Sequence, residues 1–248
     1  MSSLNPYIRQ AMCIVSFPHD DQIRYQVREV ESSFHSLHLS QAQSPNLTDE
    51  MPSNLPRFIL ESGSKQVTIS QVTAQLTLNF EDETKSISDT FDVVEKNVKL
   101  FWDGIIKLKK VEVLKNLGVV LTISCPTEAK ADGIAKSIFT KFSSFPKLGE
   151  VASASMQFGF LDQSTNLYRN ISIGTYEARQ GEVKIAGKKT SVDIESLEVK
   201  ETGVEIIMDV NTRPMAKSSL PLTEKSGELV LSQLKNFALK DGREFTSW

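Results

Sequence analysis

Between Ile23 and Leu37 the apolar residues Ile23, Val27, Val30, Phe34 and Leu37 recur at spacings of four, three, four and three. That rhythm winds a single apolar stripe along a helix, with Arg24, Arg28, Glu29 and Glu31 on its other faces. Asp20 and Asp21 stand where the start of such a helix accepts capping groups. Upstream, AMCIVSF from Ala11 predicts a buried strand ended by Pro18. Downstream, QAQSPNLTDEMPSNLP carries three prolines among polar residues and predicts a surface loop. RFILE and QVTIS, joined by Ser62-Gly63-Ser64, predict a hairpin. After Gln71 the phase slips: Val72, Ala74, Leu76, Leu78 and Phe80 alternate with polar residues, as in a strand with one buried face, and the slip at Ser70 and Gln71 marks a bulge or turn. A long helix follows, capped by Ser86 or Ser88, with Ile87, Phe91, Val94, Val98, Phe101, Trp102 and Ile105 on one side.

The second half returns to the same order. GVVLTISC predicts a strand ended by Pro126, and Thr127 caps a helix whose apolar face is Ala131, Ile134, Ala135, Ile138, Phe139 and Phe142. SMQFGFL, YRNISIGTYEA, GEVKIAG, TSVDIESLEV and VEIIMDV predict strands, with Gly203 serving the last hairpin. Thr223 opens a terminal helix carrying Val230, Leu231, Leu234, Phe237 and Ala238, ended by Asp241-Gly242. The expected class is therefore α+β, with residues 1–112 and 113–248 as two similar halves. Each half reads strand, helix, antiparallel strands, helix, with the helices packed on one face of antiparallel sheet. An internal duplication of this kind is compatible with one continuous unit.

Composition narrows the function classes. With 248 residues, 40% of them hydrophobic, the chain can bury a large core without disulfides or metals. A formal charge of −3 argues against a general nucleic-acid binder, whose affinity rests on neutralising phosphates. The compact basic group Lys107, Lys109, Lys110 and Lys115 reads as cations at a helix C-terminus. No apolar run approaches the roughly 20 residues that span a bilayer, and the short apolar run near the N-terminus lacks the features of a signal peptide. Cys13 and Cys125 fit a reducing compartment, and the expected location is cytoplasmic.

Chemistry-bearing motifs are sparse. GEVKIAGKKTS holds a Gly-Lys pair, but five residues separate Gly181 from Gly187 and Lys189 occupies the hydroxyl position, so a turn between strands is expected rather than a phosphate loop. His35 and His38 lie one helical turn apart, and His19, Asp20 and Asp21 sit about 24 Å away along the same helix, too far to complete a metal site. A solvated helix end is the expected role of the pair. Glu81-Asp82-Glu83 reads as a helix start. The strand flanks of Cys13 and Cys125 would raise their thiols rather than activate them. No catalytic, cofactor or metal residue is identified. Phe158, Phe160, Tyr168 and Tyr176 fall on successive strands, and with Arg169 and Arg179 they form a candidate face for a planar ligand. Tyr168, Arg169, Tyr176 and Arg179, with the terminal aromatics Phe245 and Trp248, make up the candidate partner or ligand surface.

RFILESGSKQVTISQVTAQLTLNFED followed by a helix containing Phe101-Trp102 resembles a sporadically distributed, functionally uncharacterised family of bacterial proteins of about this length. Gln66-Val67 and Leu76-Thr77-Leu78-Asn79 carry the resemblance. It implies an α+β architecture and a role in accessory or defence loci, and it brings no catalytic residue. The expected function is a non-enzymatic protein that binds another protein and itself, as a homodimer, through strand edges. The alternative is a small-ligand binder with an apolar cavity between helices and sheet.

Overall fold

The alternation of Ala11, Cys13 and Val15 is realised as β1 (Tyr7–Ser16), which lies near the middle of a sheet. The computed structural model describes residues 5–45, 51–81, 84–143, 150–181 and 197–241. Among them the strands β2 (Phe58–Ser62), β3 (Lys65–Ile69), β4 (Thr73–Asn79), β5 (Asn116–Thr127), β6 (Ser155–Asp162), β7 (Leu167–Gln180) and β8 (Glu198–Asn211) join β1 in one eight-stranded antiparallel sheet. The strand order is β2-β3-β4-β1-β5-β8-β7-β6. The helices are α1 (Val27–Phe34), α2 (Ile87–Lys109), α3 (Ala131–Phe142), α4 (Arg213–Lys217) and α5 (Ser226–Asn236).

One side of the sheet is the core face. Ala11, Cys13 and Val15 of β1, Leu76 of β4, Val119 and Leu121 of β5 and Ile206 and Met208 of β8 are all buried there, because period-two alternation turns every second side chain the same way. α2 packs against β1 and β4, and α5 against β5 and β8. Phe34 of α1 stacks on Phe101 of α2 with ring centroids 5.6 Å apart. The indole N–H of Trp102 donates to the backbone carbonyl of Glu224 at 2.7 Å, which ties α2 to the entry of α5. Of the two serines the sequence offers, Ser86 rather than Ser88 caps α2, its hydroxyl accepting the Asp89 N–H at 3.1 Å. The phase slip at Ser70 is the β3–β4 turn, where the Ser70 hydroxyl accepts the N–H groups of Val72 and Thr73.

Several elements differ from expectation. The helix expected over Ile23–Leu37 is three pieces: a 3₁₀ turn at Ile23–Tyr25, α1, and a second 3₁₀ turn at His35–Leu37. Gln26, at φ −97° and ψ 40°, interrupts the ladder, yet Ile23, Val30, Phe34 and Leu37 are still buried. Pro126 does not end its strand. β5 runs through it to Thr127, paired there only with Gly203 of β8, because β1 reaches no further than the Tyr7–Ser124 pair. The missing N–H of proline thus faces no ladder partner. Gly203 is not a hairpin turn but lies inside β8; a Cβ there would fall 2.7 Å from the Tyr176 ring and 2.4 Å from the Cys125 carbonyl, so the glycine admits the tyrosine across the strand. Lys130 rather than Thr127 occupies the N-cap of α3. The terminal helix begins at Ser226, after a turn closed by the Ser226 N–H on the Thr223 carbonyl, and ends in a π-helical turn over Phe237–Asp241. α4 has no counterpart among the elements expected from the sequence. GEVKIAG beyond Gly181, and the start of TSVDIESLEV, lie outside the described residues.

Candidate binding surface

Side chains pointing away from the core face build a second, polar face. Around β4 it is uncharged: Gln10 of β1 bonds Asn79 of β4 at 2.9 Å, and Gln75 bonds Thr77 at 3.0 Å. Toward β8 it is charged. The Arg9 guanidinium is ion-paired with Glu205 and lies over the Tyr176 ring, 5.7 Å from its centroid. The hydroxyls of Tyr176 and Tyr7 both donate to Oε1 of Glu201, the latter at 3.4 Å. Burial, together with the hydrogen bond to Glu201 and its charge, pushes the Tyr176 phenol up, so it stays a donor. These groups come from three strands: Tyr7 and Arg9 from β1, Tyr176 from β7, and Glu201 and Glu205 from β8. The network consumes its own charges: one arginine and two tyrosines satisfy two glutamates, which leaves it a rigid platform rather than a free anion site.

Beside it lies a depression of about 340 Å³, lined by Ser155, Gln157, Ser172, Gly174, Glu205 and Ile207. A second depression, of about 310 Å³, opens between α2 and α5 among Glu95, Lys99, Glu228 and Lys235. Its lysines are held by nearby carboxylates: Lys99 reaches Glu95 at 2.7 Å, and Lys235 reaches Asp92 and Glu95, both at 3.1 Å. The hydrogen bonds from Lys99 and Lys235 hold the Glu95 carboxyl below its ordinary value.

At the far end of the polar face Asp209 is paired in register with Asn170 of β7 and Val120 of β5. The Asn211 amide donates to its Oδ2 at 2.8 Å. Burial raises this carboxyl, against the opposing pull of Asn211 and of the Arg213 charge. A carboxyl whose native pKa exceeds its unfolded value, about 3.9, costs no stability below that value and progressively more as pH climbs toward the native one. Asp209→Asn keeps the acceptor and removes the charge. The expected result is a higher melting temperature than wild type at pH 7 and an equal one near pH 3.5; a variant less stable at pH 7 would show that the ionised form is favoured there.

The candidate surface residues are divided by strand geometry. Tyr168 and Tyr176, eight residues apart on β7, share the polar face, whereas Arg169 turns to the other side. There Arg169 bonds Asp162 of β6 and Gln233 of α5, each at 2.6 Å. Arg179 follows the irregularity at Ala178 and pairs with Glu177 at 2.7 Å. The arginines and tyrosines thus do not converge into one stacking site, because alternate residues of a strand face opposite ways. Phe245 and Trp248 lie outside the described residues.

The other candidates fall into structural places. His35 and His38 are exposed, with ring centroids 6.4 Å apart at a helix end closed by His38 in the left-handed region at φ 54°. Asp20 accepts the Gln22 N–H at 2.9 Å and is ion-paired with Lys109. Burial works to raise its carboxyl, but the hydrogen bond and charge of Lys109 outweigh it and hold it low. Lys107 donates to the carbonyl and hydroxyl of Ser32 at 3.1 and 2.9 Å, so two cations at the end of α2 fasten the segment around α1. Burial raises both thiols, that of Cys125 to about 12. Among the described residues no group of three or more His, Cys, Asp or Glu side chains is placed to hold a metal ion, and no helix is long and apolar enough to cross a membrane.

The two edges of the sheet are unlike. β2 is covered by the strap at Ser40–Gln43: Gln43 and Ile59 exchange N–H···O bonds of 2.9 Å in both directions, and the Ser40 N–H donates to the Glu61 carbonyl at 3.0 Å. The Glu31 carboxylate, accepting the Ala42 N–H at 3.0 Å, pins that strap to α1. β6, at the opposite end, pairs only with β7 among the described residues. Phe160 is 50% exposed, Leu161 57% and Phe158 37%. The alternation of SMQFGFL signals a strand, but nothing local marks it as the edge. Comparison of the chain with protein-family models, curated proteins and solved structures finds no match in any of the three.

Proposed function

We propose that this is a non-enzymatic binding protein that engages another polypeptide by strand addition at β6. The observation that carries the reading is the contrast between the edges: one is capped by its own chain, and the other, paired among the described residues with β7 alone, is flanked by three exposed apolar side chains. An uncovered edge presents N–H and C=O groups to any extended segment, and natural proteins blunt such edges with charge, proline or cover. β6 carries one charged residue, Asp162, already ion-paired with Arg169, and no proline. The acidic bias of the charged half of the polar face supports a protein partner over a nucleic acid. The resemblance noted in the sequence supports a place in a bacterial accessory or defence locus.

The test places a photoreactive benzoylphenylalanine at position 160, and as control at Glu61 on the capped edge, in cells that produce the protein. Adducts from position 160 and not from position 61 are expected. A chain that forms no adduct from position 160 overturns the reading. Small-ligand binding is the second reading, and the depression beside Glu205 supports it, since its volume reaches the lower range of ligand sites. That depression lies on the polar face, whereas the expected cavity lay between helices and sheet. A small molecule retained in native mass spectrometry and lost on Gly174→Leu would favour it.

The finer architecture belongs to the same proposal: two repeats related across the β1–β5 seam, with their helices on the core face. The strand order supports it, since β2-β3-β4-β1 and β5-β8-β7-β6 follow the same plan outward from the seam. So does the packing of α2 on β1 and β4 beside that of α5 on β5 and β8. Superposing residues 10–110 on 117–240 is expected to align β1 with β5 and α2 with α5 in chain order.

A further inference from the structure

We infer that the polypeptide added at β6 is the β6 strand of a second copy, antiparallel and centred on Gly159; this rests on the strand-addition reading above. The strand is complementary to itself. A twofold axis at Gly159 sets Phe158 opposite Phe160 of the second copy and Phe160 opposite its Phe158, giving two aromatic cross-strand pairs on one face. The same axis sets Leu161 opposite Gln157 on the other face and Asp162 opposite Met156. Charge permits this union: the single charged side chain of β6 is held by Arg169 at 2.6 Å, and in this register it meets no like charge. At the centre the Tyr168 ring already covers Gly159, since a Cβ there would fall 1.7 Å from the phenol oxygen. The two Tyr168 rings therefore close the polar side of the axis while the phenylalanines close the other.

Area sets the strength. The exposed parts of Phe158 and Phe160 amount to roughly 170 Å² per copy, against about 800 Å² per partner in a standard stable interface. The expected assembly is a weak dimer whose population follows concentration.

Sedimentation equilibrium of the full chain over a broad concentration series tests it. Wild type is expected to pass from monomer to dimer. Phe160→Lys is expected to weaken dimerisation at least tenfold, with an unchanged melting curve because the ring is exposed. The double variant Phe158→Glu/Phe160→Lys places opposite charges across the axis in both pairs, in this register alone, and is expected to recover part of the loss. A wild-type chain that stays monomeric throughout, a Phe160→Lys variant that dimerises as tightly as wild type, or a double variant no better than the single one each overturns the inference. The cellular adducts separate it from the broader reading: a homodimeric adduct supports both, and adducts only with other proteins overturn self-pairing and leave strand addition standing.

Discussion

Ending the chain at Pro221 leaves a protein that does not fold. The deletion removes Leu222, Val230, Leu231, Leu234, Phe237 and Ala238, all buried against the core. The larger side chains are worth about 1.5–3 kcal/mol each, so the loss is comparable to the whole stability of a typical domain, about 5–15 kcal/mol. It also strips Trp102 of its acceptor on Glu224 and removes the packing of α5 against β5 and β8. Aggregation, or a soluble chain without a cooperative thermal transition, is the expected outcome. A monomeric truncation that melts cooperatively would show that α5 is an appendage.

Phe101→Ala carries the largest effect expected of a single substitution. The ring is fully buried, stacks on Phe34, and stands where α2 carries α1. Truncating such a ring costs about 3–5 kcal/mol, because the transfer free energy is lost and the cavity closes only in part. For a chain of this size that corresponds to a fall in melting temperature of roughly 6–20 °C. Phe101→Leu, which keeps much of the volume, is expected to cost less than half as much. Equal effects of the two substitutions would mean that ring geometry matters more than filled space.

Elements whose stability comes from one apolar face are legible in the sequence. α2 is recovered with its cap and its face because Ser86 and the run from Phe91 to Ile105 are local signals. The hairpin of β2 and β3 and the turn at Ser70 follow from alternation and a phase slip. Misreadings arise where tertiary context overrides a local rule. Pro126 normally ends a strand, but here no second neighbour needs its N–H. Gly203 normally marks a turn, but here it makes room for Tyr176 from the next strand. The polar network is out of reach for a related reason: Tyr7 and Glu201 lie 194 residues apart, and neither belongs to a motif. A stacking face drawn from Phe158, Phe160, Tyr168 and Tyr176 with Arg169 and Arg179 treats neighbours in sequence as neighbours in space, which strand parity forbids for Tyr168 and Arg169.

The seam at the middle of the sheet also orders events in time. β1 leaves the ribosome before the strands it pairs with and can join β4 once residue 79 is out, yet its other edge waits for β5, about 110 residues further along the chain. β5 in turn waits for β8, which begins only at Glu198. Until β5 arrives the nascent chain presents a half-sheet whose open side is the apolar sequence AMCIVS. Contacts of such long sequence separation make for slow closure. The interval before residue 127 emerges is therefore when this protein has most need of a chaperone, and slowing translation just upstream of β5 would lengthen its exposure to misassembly.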